Sequence, residues 1–389
     1  KAANRYAGGG KGHTIGNPKL KSAPAGGGAL QERLNSKVLD WLRKTYGAED
    51  FSFGYSFDKF ENGKLINIDK FKEAEKFYGA SIQKPVLALI HLIAAKDGIK
   101  GAINPSDKFL KELILYTRRS GKSNENNKIL SRATRGKVMD KAKEVIASLD
   151  VADSTFYRMG RVKGGKGNQQ SAQDYNKFMA ALLNYDSHPY LQNYSEESQK
   201  ILNLMRMANT DVTKRTDLGG YEAVKVYNNL KKRTNNVLRQ NFTDPEHQQL
   251  LIKKMWGKGG GTPGIKPRKA PLAKNLGLVV ELENGEKYLF SFYSTMPKEK
   301  IPTWSQYHKA TKKRGSKKGK IDIRELLEEF ASKVLGEILI NYITSERMPS
   351  IKKQAKTPEP SEPETQKPSE PEEDEIEEIS SMAGGSVQG

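Results

Sequence analysis

The stretch Tyr78-Gly79-Ala80-Ser81-Ile82-Gln83-Lys84-Pro85-Val86-Leu87 decides how the rest of this chain is read. Ser81 and Lys84 stand three apart, a spacing that puts both side chains on one face of a helical turn. Pro85 suits the first turn of a helix, and the apolar run at 85–95 marks that helix as buried. A lysine held out of water there sheds its proton more readily and can take one from serine. The helix N-terminus adds backbone N–H groups aimed at a developing anion. The same tetrad recurs at Ser56…Lys59 and Ser350…Lys353. Ser56 falls in an expected strand and Ser350 opens a polar tail, so only Ser81 has the right setting. The plain alternative is a serine N-cap followed by a surface lysine.

Working outward, residues 51–57 and 64–70 read as strands around Asn62-Gly63, a strong hairpin signal. Residues 30–46 read as an amphipathic helix before them. Helical patterns then run from Ser81 to about Leu251, including 85–95, 110–116, 137–149, 172–183 and 196–207. Strands return at 275–282 and 287–295 around Asn284-Gly285, and an amphipathic helix at 321–343 follows. The fold class expected is therefore α/β (α+β). An antiparallel sheet, at about 29–78 and 252–349, is flanked by N- and C-terminal helices and interrupted by an all-helical subdomain at about 79–251. Outside this domain, 1–28 reads as a disordered Gly/Lys-rich arm and 350–389 as a disordered, Pro/Glu-rich acidic tail.

Composition narrows the chemistry. The chain has no cysteine, so disulfides, thiolate metal sites and a cysteine nucleophile are excluded. Its five histidines are scattered without ligand spacing, and no metal or organic cofactor is implied. No apolar run reaches the roughly 20 residues that span a bilayer. No signal peptide is visible; the chain begins at Lys1, as one with its leader removed or cut from a longer precursor would. The net charge is +20, but residues 357–389 hold ten acids and one lysine, leaving +29 for residues 1–356. So basic a body attracts polyanions, for example an anionic wall polymer. A nucleic-acid role would rest on charge alone, without an aromatic–basic motif, and is not expected.

The 78–87 segment resembles the nucleophile helix of the penicillin-recognising serine enzymes, the penicillin-binding proteins, DD-peptidases and serine β-lactamases. That family carries Ser-x-x-Lys, Ser-x-Asn and Lys-Thr-Gly in order. Lys258-Gly259-Gly260-Gly261-Thr262, with the hairpin that follows, is similar to its third motif, though Gly259 stands where the family has threonine. For the second, the segment 118–130 ends in a family-like Asn-x-Ile-Leu pattern but lacks a clean Ser-x-Asn. Ser123 is the choice for the proton-shuttling serine, with Ser120 in reserve, and Asn124 or Asn126 is the amide partner. Ser171 resembles the N-cap of a family helix at 172–183.

The resemblance implies roles. Ser81 is the nucleophile, Lys84 its general base and Ser123 a proton relay. Lys258 holds a substrate carboxylate, and Asn124, Asn126, Gly259, Gly260, Gly261 and Thr262 line the substrate. The N–H groups of Ser81 and Gly261 form an oxyanion hole. The partner implied is a peptide or β-lactam-like small molecule, and the family setting is extracytoplasmic, in the periplasm or at the cell surface. Class A β-lactamases use a glutamate before the Ser171 helix to activate water; between Val151 and Gln170 the only acid is Asp153. A peptidase, an esterase or a slowly turning over acyl-enzyme fits better than a penicillin hydrolase. The competing reading is a family fold without catalysis, serving as a basic binding or structural module for wall polymer or in a virion or other assembly.

Overall fold

The computed structural model describes residues 52–115, 122–152, 154–156, 169–208, 222–240, 245–261, 272–296 and 323–342. The expected helix at 30–46, the two terminal arms, Ser120, Asp153, Thr262 and Ser350 lie outside the described residues. In chain order the elements are β1 (Ser52–Glu61), β2 (Lys64–Phe71), β3 (Phe77–Tyr78), a 3-10 turn (Ala80–Gln83) and α1 (Lys84–Lys96). Then come α2 (Asp107–Ile114), α3 (Lys122–Ala133), α4 (Lys137–Ser148), β4 (Gln169–Gln170), α5 (Ala172–Leu183), α6 (Ser195–Met207) and α7 (Glu222–Arg239). The described chain ends in β5 (Ile252–Gly261), β6 (Leu272–Leu282), β7 (Lys287–Met296) and α8 (Ile323–Tyr342).

Five strands form one antiparallel sheet in the order β2-β1-β7-β6-β5. Both hairpins turn where the Asn-Gly pairs foretold. Asn62 and Gly63 have φ of 51° and 75°, as a two-residue turn with left-handed central residues demands. Gly285 has φ 86°, and the Gly285 N–H donates to the Leu282 carbonyl. Pairing of β1 with β7 joins strands from the two ends of the chain, with the helices inserted between them. That is the architecture expected from the sequence.

Alternation along the strands gives the sheet two different faces. Phe53, Phe57, Tyr288 and Phe292 point one way, with Phe53 and Phe292 against Phe330 of α8 and Phe57 stacked on Tyr288. On the other face, Asn176 of α5 donates to the Ser56 carbonyl and Asp58 Oδ2, while its own Oδ1 accepts from Ser291. These buried polar groups satisfy one another, which is the condition for keeping them in a core. Tyr175 of α5 packs against β6 at Gly277, where a Cβ would come within 1.9 Å of the ring. Only glycine admits helix and strand so close.

The helical subdomain is built round α1, in which residues 84–94 are all buried. A helix apolar on every side belongs at the centre of a domain. Its single histidine, His91, is fully buried and structural. Nδ1 accepts from the Ile103 N–H at 3.2 Å, so Nε2 carries the proton shared with the Leu130 carbonyl and Thr134 hydroxyl at 2.9 Å. Ser171 caps α5 as expected, its hydroxyl accepting from the Asp174 N–H at 3.2 Å.

Candidate active site

Ser81 sits in the 3-10 turn that precedes α1, and Lys84 is the first residue of α1. Pro85 stands in the first turn of α1, where a missing N–H costs nothing. The residue before Ser81 is strained: Ala80 has φ 51°, the left-handed region that L residues avoid. Such a conformation costs about 1–3 kcal/mol and is kept where surrounding contacts impose it.

Those contacts are visible. Asn275 of β6 donates from Nδ2 to the Tyr78 carbonyl at 2.8 Å, and its Oδ1 accepts from the Ser294 N–H. Phe77 and Tyr78 pair with Gln170 and Gln169 across a small two-stranded sheet. Gln170, itself anchored by the Tyr293 hydroxyl at 3.0 Å, fills the space beside Gly79, where a Cβ would clash at 2.3 Å. On the remaining side β5 presses in at Gly260, where a Cβ would lie 2.7 Å from the Ile82 nitrogen and 2.9 Å from that of Ser81. The Ser81 turn is thus clamped between β3, β4, β5 and β6. Asn275 and Gln170 support the candidate site and were not among the residues singled out from the sequence; neither belongs to a local motif, and each acts across a long stretch of chain.

The electrostatics of the turn follow from burial. Lys84 is 0% exposed, and loss of water lowers its amine from the ordinary lysine range to about 7. Lys258, on the same face of β5 as Gly260, is also buried and held well below its usual value, first by desolvation and then by the cations Lys84 and Lys274. Its ammonium donates to the Gly259 carbonyl at 2.8 Å. Lys274 faces the other side of the sheet and is neutralised there by Glu328 of α8. Tyr227 of α7 reaches the same strand from that side, lying beside Gly259. The charge on Lys84 disfavours a second charge on Lys258 beside it, so the Lys258 amine gives up its proton more easily than an isolated lysine does.

The Ser81 side chain is half-buried, and among the described residues nothing hydrogen-bonds its hydroxyl. The structure therefore brings Ser81, Lys84, Lys258 and Gly260 together. Gly259 and Gly261 lie in β5 beside them, in the strand that the motif resemblance implied. Ser123 and Asn124 stand in the first turn of α3, and their side chains lie outside the described residues. Asn126 is buried one helical turn on, and its Nδ2 is engaged with the Phe109 carbonyl and Glu112 of α2. Ser56 takes no part: it lies in β1 with its hydroxyl on Asp58. The described residues hold no group of three or more candidate metal ligands and no helix long and apolar enough to cross a membrane.

No family model matches this chain, and no curated protein does. Solved structures do resemble it. TLA-1 extended-spectrum β-lactamase is 14% identical with a TM-score of 0.45, over 81% of this chain and 99% of that one. A class A β-lactamase from Clostridium kluyveri is 14% identical with a TM-score of 0.40, over 81% and 100%. PBP-A, solved as an acyl-enzyme complex with penicillin G, is 12% identical with a TM-score of 0.41, over 79% and 95%. With its sheet drawn from both chain ends, its inserted helices and its Ser-x-x-Lys turn set against β5, the chain is similar in fold to these penicillin-binding protein and β-lactamase structures.

Proposed function

We propose that this protein is a serine acyl-transfer hydrolase that works through an acyl-enzyme on Ser81. The observation that carries the proposal is Lys84: a wholly buried amine, lowered by desolvation to about 7, one turn from a half-buried serine whose hydroxyl no described residue engages. Neutral Lys84 takes the Ser81 proton as the oxygen adds to the substrate carbonyl. The N–H groups of Ser81 and Gly261 receive the oxyanion, and Ser123 passes the proton to the leaving amine. Lys258 supplies positive potential to a carboxylate on the substrate, which in turn favours its own protonation. The substrate class is a peptide or amide such as a peptidoglycan stem peptide, met outside the cytoplasm. Gly259, in place of the family threonine, removes one hydroxyl from carboxylate recognition, so the substrate is held more by charge than by geometry.

The test is intact mass after incubation with a panel of β-lactams, for the wild type and Ser81→Ala. A covalent adduct on the wild type, absent from Ser81→Ala, is expected; its lifetime separates a peptidase from a lactamase. A folded wild type that forms no adduct with any β-lactam, and none with peptide or ester substrates, would overturn the proposal in favour of a non-catalytic binding module.

A further inference from the structure

The exposed side of α7 and the neighbouring end of β5 make one basic surface. Asn228, Asn229, Lys232, Asn236, Arg239 and Gln240 are all exposed and hold no acid. Asn235 fixes this helix to the start of β5, its amide donating to and accepting from the Ile252 backbone at 2.9 Å. Lys231 then reaches the Lys253 carbonyl at 3.3 Å, which brings exposed Lys253 beside the helix. Among the described residues no carboxylate pairs with Lys231, Lys232, Arg239 or Lys253; the nearest ion pair is Lys254 with Glu281, at 3.9 Å. Four unpaired cations flanked by amide donors form a surface for an extended anion.

The chain carries such an anion. Residues 370–378 hold seven acids in nine positions without a cation, and 357–389 as a whole have a net charge of −9. The point from which this segment departs is on the same side. Glu328 near the start of α8 acts on Tyr227 of α7, and Gly336 lies against Val237, so the two helices run in the same direction. The last residue of α8, Tyr342, packs edge-on against Tyr288. Tyr288 pairs with Val280, and Val280 with Met255. Tyr288, against which Tyr342 packs, is therefore about two strand spacings, roughly 10 Å, from the β5 residue that follows Lys254. Twenty-seven residues separate Tyr342 from Glu370, and a chain of that length reaches at most about 90 Å, more than the roughly 27 Å length of α7.

We propose that the acidic segment 370–378 docks on the α7–β5 basic surface of its own chain. Tethering gives it an effective concentration in the millimolar range, ahead of most external polyanions. Occupation neutralises the outer edge next to the strand that carries Lys258, and it sets a salt-dependent threshold for any polyanion that would bind there.

The chain has no cysteine, so Ser380→Cys gives a single site for a nitroxide label. At low salt, amide resonances of 231–240 and 252–254 should broaden selectively and recover at about 0.5 M salt, beyond the reach of screened charges. The same recovery is expected in the variant Lys231→Gln, Lys232→Gln, Arg239→Gln, Lys253→Gln, with its fold checked by circular dichroism. Neutralising the acids of 370–378 should delay elution from heparin. Broadening that is absent, spread over the surface or indifferent to salt would overturn the proposal. So would heparin retention unchanged by neutralisation, which would mark the surface as open to an external polyanion.

Discussion

At the residue scale the proposed chemistry rests on two side chains and one backbone angle. Lys84 loses its proton near pH 7, so acylation should rise with pH through that value and fall about tenfold per unit below it. The rate of adduct formation against pH reads this directly, and a profile flat between pH 5 and 8 would remove Lys84 from the role of base. Lys84→Met should abolish acylation. Ala80 carries the strain before Ser81, and Ala80→Gly should relieve it, with a gain of about 1 kcal/mol in urea unfolding. If the left-handed angle serves to aim the hydroxyl, the same variant will acylate more slowly although it is more stable.

At the scale of elements, what matters is how closely β5 approaches the Ser81 turn. Gly260→Ala puts a methyl against two backbone nitrogens that cannot swing aside, so a loss of about 1–3 kcal/mol is expected, with adduct formation reduced further. Thermal unfolding and adduct formation, measured together, separate the two effects. Ser171→Ala removes only the α5 cap, at about 1 kcal/mol, and should leave acylation unchanged. His91 joins α1 to α3 in its neutral form, and burial lowers its pKa. Its contribution to stability is full above the unfolded value of about 6.5 and is lost as pH falls below it. His91→Gln should flatten that acid limb of the stability curve.

At the scale of the whole molecule, the candidate site is a cost to the fold. Buried Lys84 and Lys258 have folded pKa values depressed below their unfolded ones, so between each folded value and about pH 10.5 the folded state holds fewer protons than the unfolded state. For Lys84 the penalty is complete below pH 7 and fades as pH rises towards 10.5. Lys84→Met should therefore raise the melting temperature, by on the order of a few kcal/mol in stability at pH 6 and by less at pH 10. A variant no more stable than wild type at pH 6 would mean that the amine reaches solvent.

Local signals in the sequence were enough for the hairpins, the buried helix after Ser81 and the serine–lysine turn. Asn-Gly turns, period-2 strands and an apolar run after Ser-x-x-Lys are local signals, and each acts within a few residues of its own place. The sequence left the second motif open between Ser120 and Ser123 and between Asn124 and Asn126, because a polar helix start offers several equivalent side chains. Tertiary structure alone decided the clamp on the Ser81 turn. Asn275, Gln170 and Gly260 come from strands 89 to 194 positions further along the chain, and nothing near them in sequence refers to Ser81. The low pKa of Lys84 is likewise a property of the assembled core: desolvation belongs to the whole set of neighbours that exclude water, not to the four residues that spell the motif.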